Sequence, residues 1–174
     1  RGQTSYGYAT AAPCAALLAR GGCSPRARLW ATFAVTRTAT QMAALHARAF
    51  SRGGAWTRKD FEELLVARNM TICHHDHGFA VLRIVPPEAE ILTIAIDPSH
   101  QGKGFGRTLL QELMARAQKA RVEDIFLEVD STNHAARALY ASAGFDETGL
   151  RKNYYRYKNG AFADAILLAK TFFY

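Results

Sequence analysis

The segment from His100 to Leu110, HQGKGFGRTLL, places glycines at three alternate positions directly before a leucine-rich helical pattern. Inside a helix, glycine is less favourable than alanine by about 1 kcal/mol, so glycines clustered at a helix start indicate that bare backbone is needed there. The strand pattern EAEILTIAID precedes the segment. A strand, a glycine-rich loop and a helix in this order predict an anion-binding loop, because the first amides of a helix have no internal partner and the helix dipole favours negative charge beside them.

Two well-known phosphate-binding loops do not match Gly102, Gly104 and Gly106. A Walker loop requires a lysine that follows its last glycine and precedes Ser or Thr, whereas Lys103 stands between two glycines. A dinucleotide fingerprint requires GxGxxG, whereas the spacing here is GxGxG. Glu123 does lie at about the 20-residue distance that the dinucleotide motif expects. The antiparallel hairpin predicted before the strand nevertheless argues against a Rossmann unit.

Hydrophobic spacing around this loop predicts an α/β domain with a mixed sheet flanked by helices. Thr57 is the expected N-cap of one helix, with Asp60 in its first turn. The expected buried stripe of that helix consists of Phe61, Leu64 and Leu65. A hairpin is predicted over residues 71–85, with Gly78 supplying its turn. The other predicted helices cover residues 40–50, 107–120 and 133–143, and the other predicted strands cover 29–37, 88–97, 124–130 and 164–172.

Positive charge is concentrated at the beginning of the chain. The net charge is +7, yet residues 1–59 contain nine Lys/Arg and no Asp or Glu. A domain that binds nucleic acid is expected to spread its bases over a folded face, so nucleic acid is not the expected partner. Residues 1–29 are also rich in Ala, Gly, Arg, Ser and Pro without a sustained period, and we interpret them as a basic arm outside a domain at 30–174. Upstream sequence read into frame, a targeting remnant and an oligomer contact are the alternatives for the arm.

Cysteine and apolar patterns predict a cytoplasmic protein without a membrane partner. No stretch reaches the roughly 18 consecutive apolar residues of a membrane helix. Cys14, Cys23 and Cys73 form no CxxC pair and leave an odd residue over, which favours a reducing compartment. In the segment CHHDH, alternation lets at most Cys73, His75 and His77 converge on a metal. A solvated hairpin tip is the preferred interpretation, and no metal is expected.

The glycine loop resembles the Q/R-x-x-G-x-G/A pyrophosphate loop of the GCN5-related N-acetyltransferases, since it runs Gln101-Gly102-Lys103-Gly104-Phe105-Gly106. The resemblance continues in the family's order through ILTIAIDPSHQGKGFGRTLL, IFLEVDSTNHAARALYASAGF and RKNYY...DAILLA, and covers about residues 30–172. The segments LEV, N-x-x-A-x-x-L-Y-x-x-x-G-F and R-K-N-Y-Y are most similar to the ribosomal-protein-alanine branch of that family. The resemblance implies the family's fold, with a pyrophosphate-binding loop before the central helix.

The resemblance also implies acetyl-CoA as the co-substrate. In the family, the strand before the loop offers backbone groups to the pantetheine arm, which implies residues 94–96 here. Asn133 is implied to face the same groove, and capping its own helix is a compatible role. Solvated positions remain open as alternatives for Lys103 and Arg107. The implied cofactor-binding residues are Ile94, Ala95, Ile96, Gln101, Gly102, Lys103, Gly104, Phe105, Gly106, Arg107 and Asn133.

Acyl transfer to an amine needs a base for the ammonium proton and an acid for the departing thiolate. Glu128 lies in the strand pattern DIFLEVD, where alternation places it on the face of Phe126 and Asp130. The resemblance implies that Glu128 is the base and Tyr140 the acid. An exposed strand glutamate and an amphipathic core tyrosine are the alternatives.

The segment RKNYY is implied to wall the cleft of a peptide substrate through Tyr154 and Tyr155, although its alternating aromatic and basic residues also suit a half-buried strand. Phe50 and Trp56 are considered for the opposite wall, with packing beneath a loop as the preferred role. Around Trp56 the chain has AWT where the branch usually has PWS.

The resemblance therefore implies an N-acetyltransferase that acetylates the N-terminal α-amine of a protein by direct attack in a ternary complex. A ribosomal protein is the implied acceptor class. Acetylation of a lysine side chain or of a small amine is the alternative reaction. The alternatives without catalysis are an acyl-CoA sensor and a module that binds nucleic acid through the basic arm. The sequence indicates no oligomeric state.

Overall fold

The computed structural model describes residues 37–173, which form one mixed six-stranded sheet with helices on both faces. The predicted arm, 1–29, and all but the last residue of the predicted strand 29–37 lie outside this range. The helices are α1 (Ala39–Ala49), α2 (Arg58–Val66), α3 (Phe105–Lys119) and α4 (His134–Ser142), and a 3-10 turn covers Pro98–His100. The strands are β1 (Met70–His75), β2 (Gly78–Val85), β3 (Glu88–Ile96), β4 (Asp124–Asp130), β5 (Asp146–Arg156) and β6 (Phe162–Thr171). Between residues 37 and 173, no helix has both the length and the hydropathy of a membrane span.

The sheet is open at one place, between the carboxyl ends of β3 and β4. The strands lie in the order β1-β2-β3-β4-β6-β5, and all neighbours are antiparallel except β3 and β4. This parallel pair is joined only where Glu88–Ile91 lies opposite Asp124–Leu127. Beyond it, β3 continues to Ile96 along β2, and β4 continues to Asp130 along β6. The carboxyl ends of β3 and β4 are therefore not hydrogen-bonded to each other.

Strand β3 contains a bulge at Leu92, which has no partner on β2. Ile91 packs in the core on the α3 side of the sheet, whereas Leu92 packs in the core beneath α1 and α2. Past the bulge the alternation is inverted, so that Ile94 packs on the α3 side and Ala95 on the α1 side. An extra residue moves every following side chain to the other face. One bulge therefore decides which side chains border the open end of the sheet.

Helix α2 begins at the predicted capping box. The Thr57 side chain accepts the Asp60 amide at 3.3 Å, and the Asp60 carboxylate accepts the Thr57 amide at 2.7 Å. Phe61 is fully buried and Leu64 half-buried, but Leu65 is 43% exposed. The prediction that Leu65 belongs to the buried stripe is wrong, because the core contact of this short helix follows the i, i+3 spacing of Phe61 and Leu64.

The hairpin of β1 and β2 needs glycine for close packing rather than for its turn. The turn lies at Asp76 and His77, and Gly78 is the first, buried residue of β2. A Cβ at Gly78 would lie 2.5 Å from Cδ1 of Ile96 and 2.6 Å from the carbonyl oxygen of Ala95. The prediction that Gly78 supplies the turn is therefore wrong. Its missing side chain lets β2 lie directly against the end of β3.

The remaining predicted elements are present with small changes of boundary. Strand β4 has the predicted bounds 124–130, α1 begins one residue early, and β6 begins two residues early. Strand β5 starts at Asp146, well before the RKNYY segment in which a half-buried strand was considered. All of its residues except Tyr155 are exposed, because β5 is an edge strand.

His46 on α1 is a fully buried polar residue that joins three parts of the fold. Its ring stacks on Phe50, with centroids 4.2 Å apart, and on Trp56, with centroids 5.1 Å apart. Its Nδ1 accepts the Trp56 amide at 3.1 Å, and its Nε2 lies 3.2 Å from the Thr93 hydroxyl on β3. Burial lowers the pKa of His46 to about 4, so the ring is neutral at neutral pH. Phe50 and Trp56 thus have the packing role that the sequence favours.

We expect acid to destabilise the protein through His46. The folded-state pKa lies below the ordinary 6.5, so between these two values the unfolded chain binds more protons, and the free energy of unfolding falls as the pH falls through that window. From about pH 7 to about pH 5 the loss is about 2 kcal/mol. Urea unfolding of the protein and of His46→Gln at both pH values measures it, since the variant lacks this contribution. The same pH dependence in both proteins would contradict the assignment.

Candidate active site

The open end of the sheet is bordered by the segments that follow its two parallel strands. The loop of residues 97–104 leads from β3 into α3, and residues 131–133 lead from β4 into α4. In open α/β sheets, ligands bind outside the carboxyl ends of the strands. The start of α3, the start of α4 and the two free strand ends therefore form the expected ligand site.

The loop before α3 holds two glycines in the left-handed conformation. Gly102 has a φ of +75° and Gly104 a φ of +89°, and a Cβ added at either would meet no other atom within 4 Å. Backbone conformation therefore requires these glycines, and the space above them is open. Two side chains brace the loop. The Gln101 amide donates to the last carbonyl of β3 at 3.2 Å, and the Lys103 ammonium donates to the carbonyl of the 3-10 turn's middle residue at 3.0 Å.

Helix α3 begins at Phe105, two residues before the predicted start at Arg107. Its N-cap, Gly104, offers no side-chain cap, and its first turn contains no acidic residue. Unpaired amides at a positive helix end favour an anion, and the exposed Arg107 adds positive charge. Gly106 lies in the first turn of α3, where a Cβ would make an ordinary contact with the Leu139 side chain on α4, 3.4 Å away. Its contact with a cofactor stays a prediction.

Residues 94–96 are the free end of β3. They pair with residues 78–80 of β2 and have no strand partner on the β4 side. Backbone groups on that side, apart from the Ile96 carbonyl that accepts the Gln101 amide, are therefore available to an extended ligand, as at other unpaired strand edges. Ile94 is half-buried, and Ala95 and Ile96 are buried on opposite faces of the sheet.

Asn133 caps α4 with its side chain, whose Oδ1 accepts the Ala136 amide at 3.1 Å. The residue is exposed and lies in the segment that borders the opening. The capping role is confirmed, and contact with a cofactor stays a prediction.

Glu128 lines a cavity of about 220 Å³. Its neighbours Leu127 and Val129 are buried in the core on the α3 side, so Glu128 lies on the opposite face, as alternation predicts. Its side chain is 22% exposed, and Oε1 pairs with Nη1 of Arg151 on β5 at 3.1 Å. A second carboxylate, Glu90, lines the same cavity.

Tyr154 and Tyr155 both lie against Glu128. The Tyr155 hydroxyl donates to the backbone carbonyl of Glu128 at 3.4 Å, and burial, followed by the charge of Glu128, raises the pKa of this phenol. Tyr154 is exposed and meets Tyr155 edge to face, with centroids 5.2 Å apart. Hydrogen bonding to Glu128 raises the pKa of Tyr154. The structure therefore brings these three residues close together, and Glu128 is the one among them that lines the cavity.

Tyr140 is buried on α4, where its ring meets Phe145 edge to face at 5.7 Å. Burial raises the pKa of Tyr140 well above 10, so the phenol keeps its proton at neutral pH. The charge of an ionised Tyr140 is also among the causes that raise the pKa of Tyr155. Among residues 37–173, the Tyr140 hydroxyl has no hydrogen-bond partner. Its proton is therefore not committed to another described group.

The residues considered as metal ligands lie in different surroundings. The Cys73 thiol is in the core, where burial raises its pKa to about 12. His77 lies in the turn rather than on the strand and stacks on His100, with centroids 3.7 Å apart, while His75 meets Phe105 at 4.7 Å. The tip is therefore packed against the start of α3 and is less solvated than predicted. The part of the chain that the structure describes has no group of three His, Cys, Asp or Glu residues placed for a metal ion.

Residues 39–145 match the model of the acetyltransferase (GNAT) family. The match runs from α1 through α4 and includes the glycine loop, Glu128 and Tyr140. The chain belongs to the GNAT family. It is an N-acetyltransferase with the mixed sheet and flanking helices that the sequence predicts, and its family uses acetyl-CoA.

Curated relatives of this acetyltransferase modify protein N-termini according to their names. The ribosomal protein bS18-alanine N-acetyltransferase of Escherichia coli strain K12 is 35% identical over 142 residues, which are 79% of this chain and 95% of that protein. The N-alpha-acetyltransferase RimI of Mycobacterium tuberculosis is 49% identical over 80 residues, which are 45% of this chain and 49% of that protein.

Solved GNAT structures have the same fold. The crystal structure of the ribosomal-protein-S18-alanine N-acetyltransferase from Escherichia coli has a TM-score of 0.66 at 34% identity, covering 74% of this chain and 84% of that chain. The NAA60 enzyme of Arabidopsis thaliana, solved with a bisubstrate analogue, has a TM-score of 0.67 at 16% identity, covering 77% of this chain and 92% of that chain. At 16% identity, the similarity to the NAA60 structure shows only that the two proteins share a fold.

Sequence reasoning placed Arg151 in the segment that walls the peptide cleft but did not pair it with Glu128, and it did not assign Glu90 to this GNAT cavity. Both lie on strands that the sequence places far from Glu128 along the chain. A signal for Arg151 existed, because a half-buried glutamate requires a cationic or hydrogen-bonding partner, and the RKNYY segment begins with two bases.

Proposed function

We propose that this acetyltransferase transfers an acetyl group to the α-amine at the N-terminus of a protein, with ribosomal protein bS18, named for the E. coli relative, as the acceptor class. The observation that carries the proposal is the position of Glu128, a partly exposed carboxylate at the free end of β4 in a cavity of about 220 Å³. A cavity of this size admits the terminal residue of a chain. A ribosomal acceptor also agrees with the cytoplasmic location expected from the sequence.

We infer that acetyl-CoA lies along the open end of the sheet. The backbone of residues 94–96 has free groups for the pantetheine arm, and the loop at 101–104 with the uncapped start of α3 has free amides for the pyrophosphate. The open space above Gly102 and Gly104 fits this assignment. Lys103, Arg107 and Asn133 complete the proposed site. When bound, acetyl-CoA supplies the acetyl group and the thiolate that leaves.

A valine at Gly104 is expected to weaken acetyl-CoA binding by about tenfold or more, because a branched side chain would cover the amides that start α3. The φ of +89° also disfavours valine, so the free energy of unfolding should fall. Calorimetric titration with acetyl-CoA measures the affinity.

Gly160→Val is the matched control for Gly104→Val. Gly160 lies in the turn between β5 and β6, has a φ of +83° and likewise has open space around it. The same strain is therefore introduced away from α3. Unchanged acetyl-CoA affinity in a folded Gly104→Val protein, or an equal loss in both variants, would overturn the cofactor assignment.

Two residues are proposed for the proton transfers. The Glu128 carboxylate takes a proton from the acceptor's ammonium, directly or through a water molecule, and so frees the lone pair that attacks. The Tyr140 hydroxyl gives its proton to the departing sulfur. Because burial raises the pKa of Tyr140, this transfer requires the phenol and the thiolate to be held in contact. Tyr154 and Tyr155 are proposed to border the acceptor beside Glu128.

The nature of the acceptor can be tested with two peptides and thiol release as the readout. One peptide begins with a free alanine and contains no lysine, and the other has a blocked N-terminus and one internal lysine. We expect turnover with the first peptide and little with the second. A clear preference for the lysine peptide, or for a small amine over both, would contradict the proposed function.

We also propose that residues 30–174 form the catalytic domain and that residues 1–29 are an arm outside it. The two cores, as far as they are described, are built from residues 39–172. The loop, Glu128 and Tyr140 lie within the same range. The proposed chemistry therefore requires no residue of the arm.

A further inference from the structure

Arg151 places a cation between a carboxylate and an aromatic ring. Its Nη1 lies 3.1 Å from Oε1 of Glu128, and its Cζ lies 5.6 Å from the centroid of the Tyr154 ring. Proteins hold organic cations with these two kinds of group. The guanidinium of the protein itself therefore fills a position that suits a cationic ligand.

Two residues of β5 engage the same carboxylate. Arg151 holds one oxygen of Glu128, and its guanidinium lies 5.6 Å from the centroid of the Tyr154 ring, beside the same carboxylate. An ammonium that is to lose its proton to Glu128 has to approach the same carboxylate. The ammonium and the guanidinium are consequently competitors for one position.

The pairing of β5 with β6 is irregular on both sides of Arg151, with register shifts between Glu147 and Gly149 and between Arg151 and Tyr155. Regular pairing with β6 stops at Arg151 and resumes at Tyr155, so that three residues of β5 lie opposite Asp164 alone. Within the bulge, Asn153 has a φ of +54°, and its amide donates to the Asp164 carboxylate at 2.8 Å. Bulges commonly redirect side chains beside active sites. The bulge after Arg151 is therefore held by a hydrogen bond of its own, which does not involve the Arg151 side chain.

In the Arg151–Glu128 ion pair, the arginine is the partner that can leave into solvent. The Arg151 side chain is 55% exposed, whereas that of Glu128 is 22% exposed. An exposed guanidinium gains water when it leaves, and ion pairs at such positions contribute little. The carboxylate remains in the cavity, where the incoming cation meets it.

We propose that Arg151 occupies the subsite of the acceptor's ammonium in the free enzyme and that the acceptor binds by displacing Arg151 from Glu128. The proposal rests on the proposed function, since it takes the acceptor to be a cationic amine. The subsite consists of the Glu128 carboxylate and the face of Tyr154. Arg151 is a positioning residue, because it holds the carboxylate toward the cavity until the acceptor arrives.

Arg151→Gln tests this competition by removing the guanidinium charge. We expect the KM for an alanine-initiated peptide to fall about three- to fivefold, the range that corresponds to loss of an exposed ion pair. The kcat and the KM for acetyl-CoA should stay within twofold, about the scatter of such measurements. Methylguanidinium should inhibit the variant competitively against the peptide. Arg151→Lys retains a cation and should keep the KM of the wild-type protein.

Arg58→Gln is the matched control, because Arg58 forms an ion pair of the same 3.1 Å length with Glu62, within α2. It should leave the KM for the peptide unchanged. If Arg151→Gln does not melt cooperatively, Arg151→Met provides the same comparison, since its unbranched stem still covers the Tyr154 ring. An unchanged KM in a folded variant would overturn the proposal. An increased KM would also overturn it, because Arg151 would then be binding the peptide.

The two proposals fail in different ways. If the wild-type protein acetylates an internal lysine or a small amine and no alanine-initiated peptide, the proposed function is wrong. The KM comparison between wild type and Arg151→Gln is then made with the amine that reacts. An unchanged KM in that comparison overturns the role of Arg151 independently of which amine it is.

Discussion

Replacing Glu128 with glutamine is expected to lower the turnover of an alanine-initiated peptide by about 10²-fold or more at neutral pH. The amide keeps the shape of the side chain but cannot accept the ammonium proton. Much of the loss should be recovered above about pH 8, where solvent deprotonates the α-amine without help. Initial rates of thiol release between about pH 6.5 and pH 9.5 measure the effect. Acetyl-CoA affinity should hardly change, because Glu128 lies on the face of the sheet opposite α3.

The matched control for Glu128→Gln is Glu90→Gln. Glu90 lines the same cavity and is paired with Arg83, so its replacement makes the same change of charge at a neighbouring position. We expect it to retain most of the turnover. Deprotonating a lysine at neutral pH costs roughly 3 kcal/mol more than deprotonating an α-amine, which is why a single carboxylate suits the N-terminal substrate better. Full activity of Glu128→Gln at neutral pH would refute its role as the base.

Tyr140→Phe is expected to lower turnover by about 10²-fold and to remain impaired at high pH, because it removes the acid for the thiolate rather than the base for the amine. The same pH series measures it, beside Glu128→Gln. Stability should change little, because within residues 37–173 the Tyr140 hydroxyl has no hydrogen bond to lose and the ring contact with Phe145 is kept.

The contrast between the two pH profiles is the decisive comparison. A Tyr140→Phe protein whose turnover recovers with rising pH in parallel with Glu128→Gln would show that the phenol does not act as the acid. A large fall in its melting temperature would show instead that Tyr140 serves the core, the alternative that the sequence leaves open.

The sequence predicts the elements of this fold well where local chemistry decides them. The alternation of DIFLEVD sets the bounds of β4, and the Thr57 and Asp60 pair sets the start of α2, because both patterns depend on neighbouring residues alone. The bulge at Leu92 and the packing of Gly78 against Ile96 could not be predicted. Both depend on the partner strand, which nothing in the local pattern identifies.

The site likewise contains features that local sequence patterns predict and one contact that they do not. The glycine loop and the outward face of Glu128 follow from short patterns, and the structure places them at the same open end of the sheet. The pairing of Arg151 with Glu128 crosses β6, and the register of β5 against β6 shifts between Glu147 and Gly149, just before Arg151. A partner selected through an intervening strand and a bulge leaves no fixed spacing in the sequence.

The parallel strands β3 and β4 share only four residue pairs, and the core on the α3 side contains buried residues from both strands. In the proposed site, acetyl-CoA bonds to the free backbone of residues 94–96 and to the start of α3, beside this short pairing. Ligands that bind only the folded form stabilise it in proportion to the logarithm of their concentration. We therefore expect acetyl-CoA to raise the free energy of unfolding of the enzyme and to slow its proteolysis.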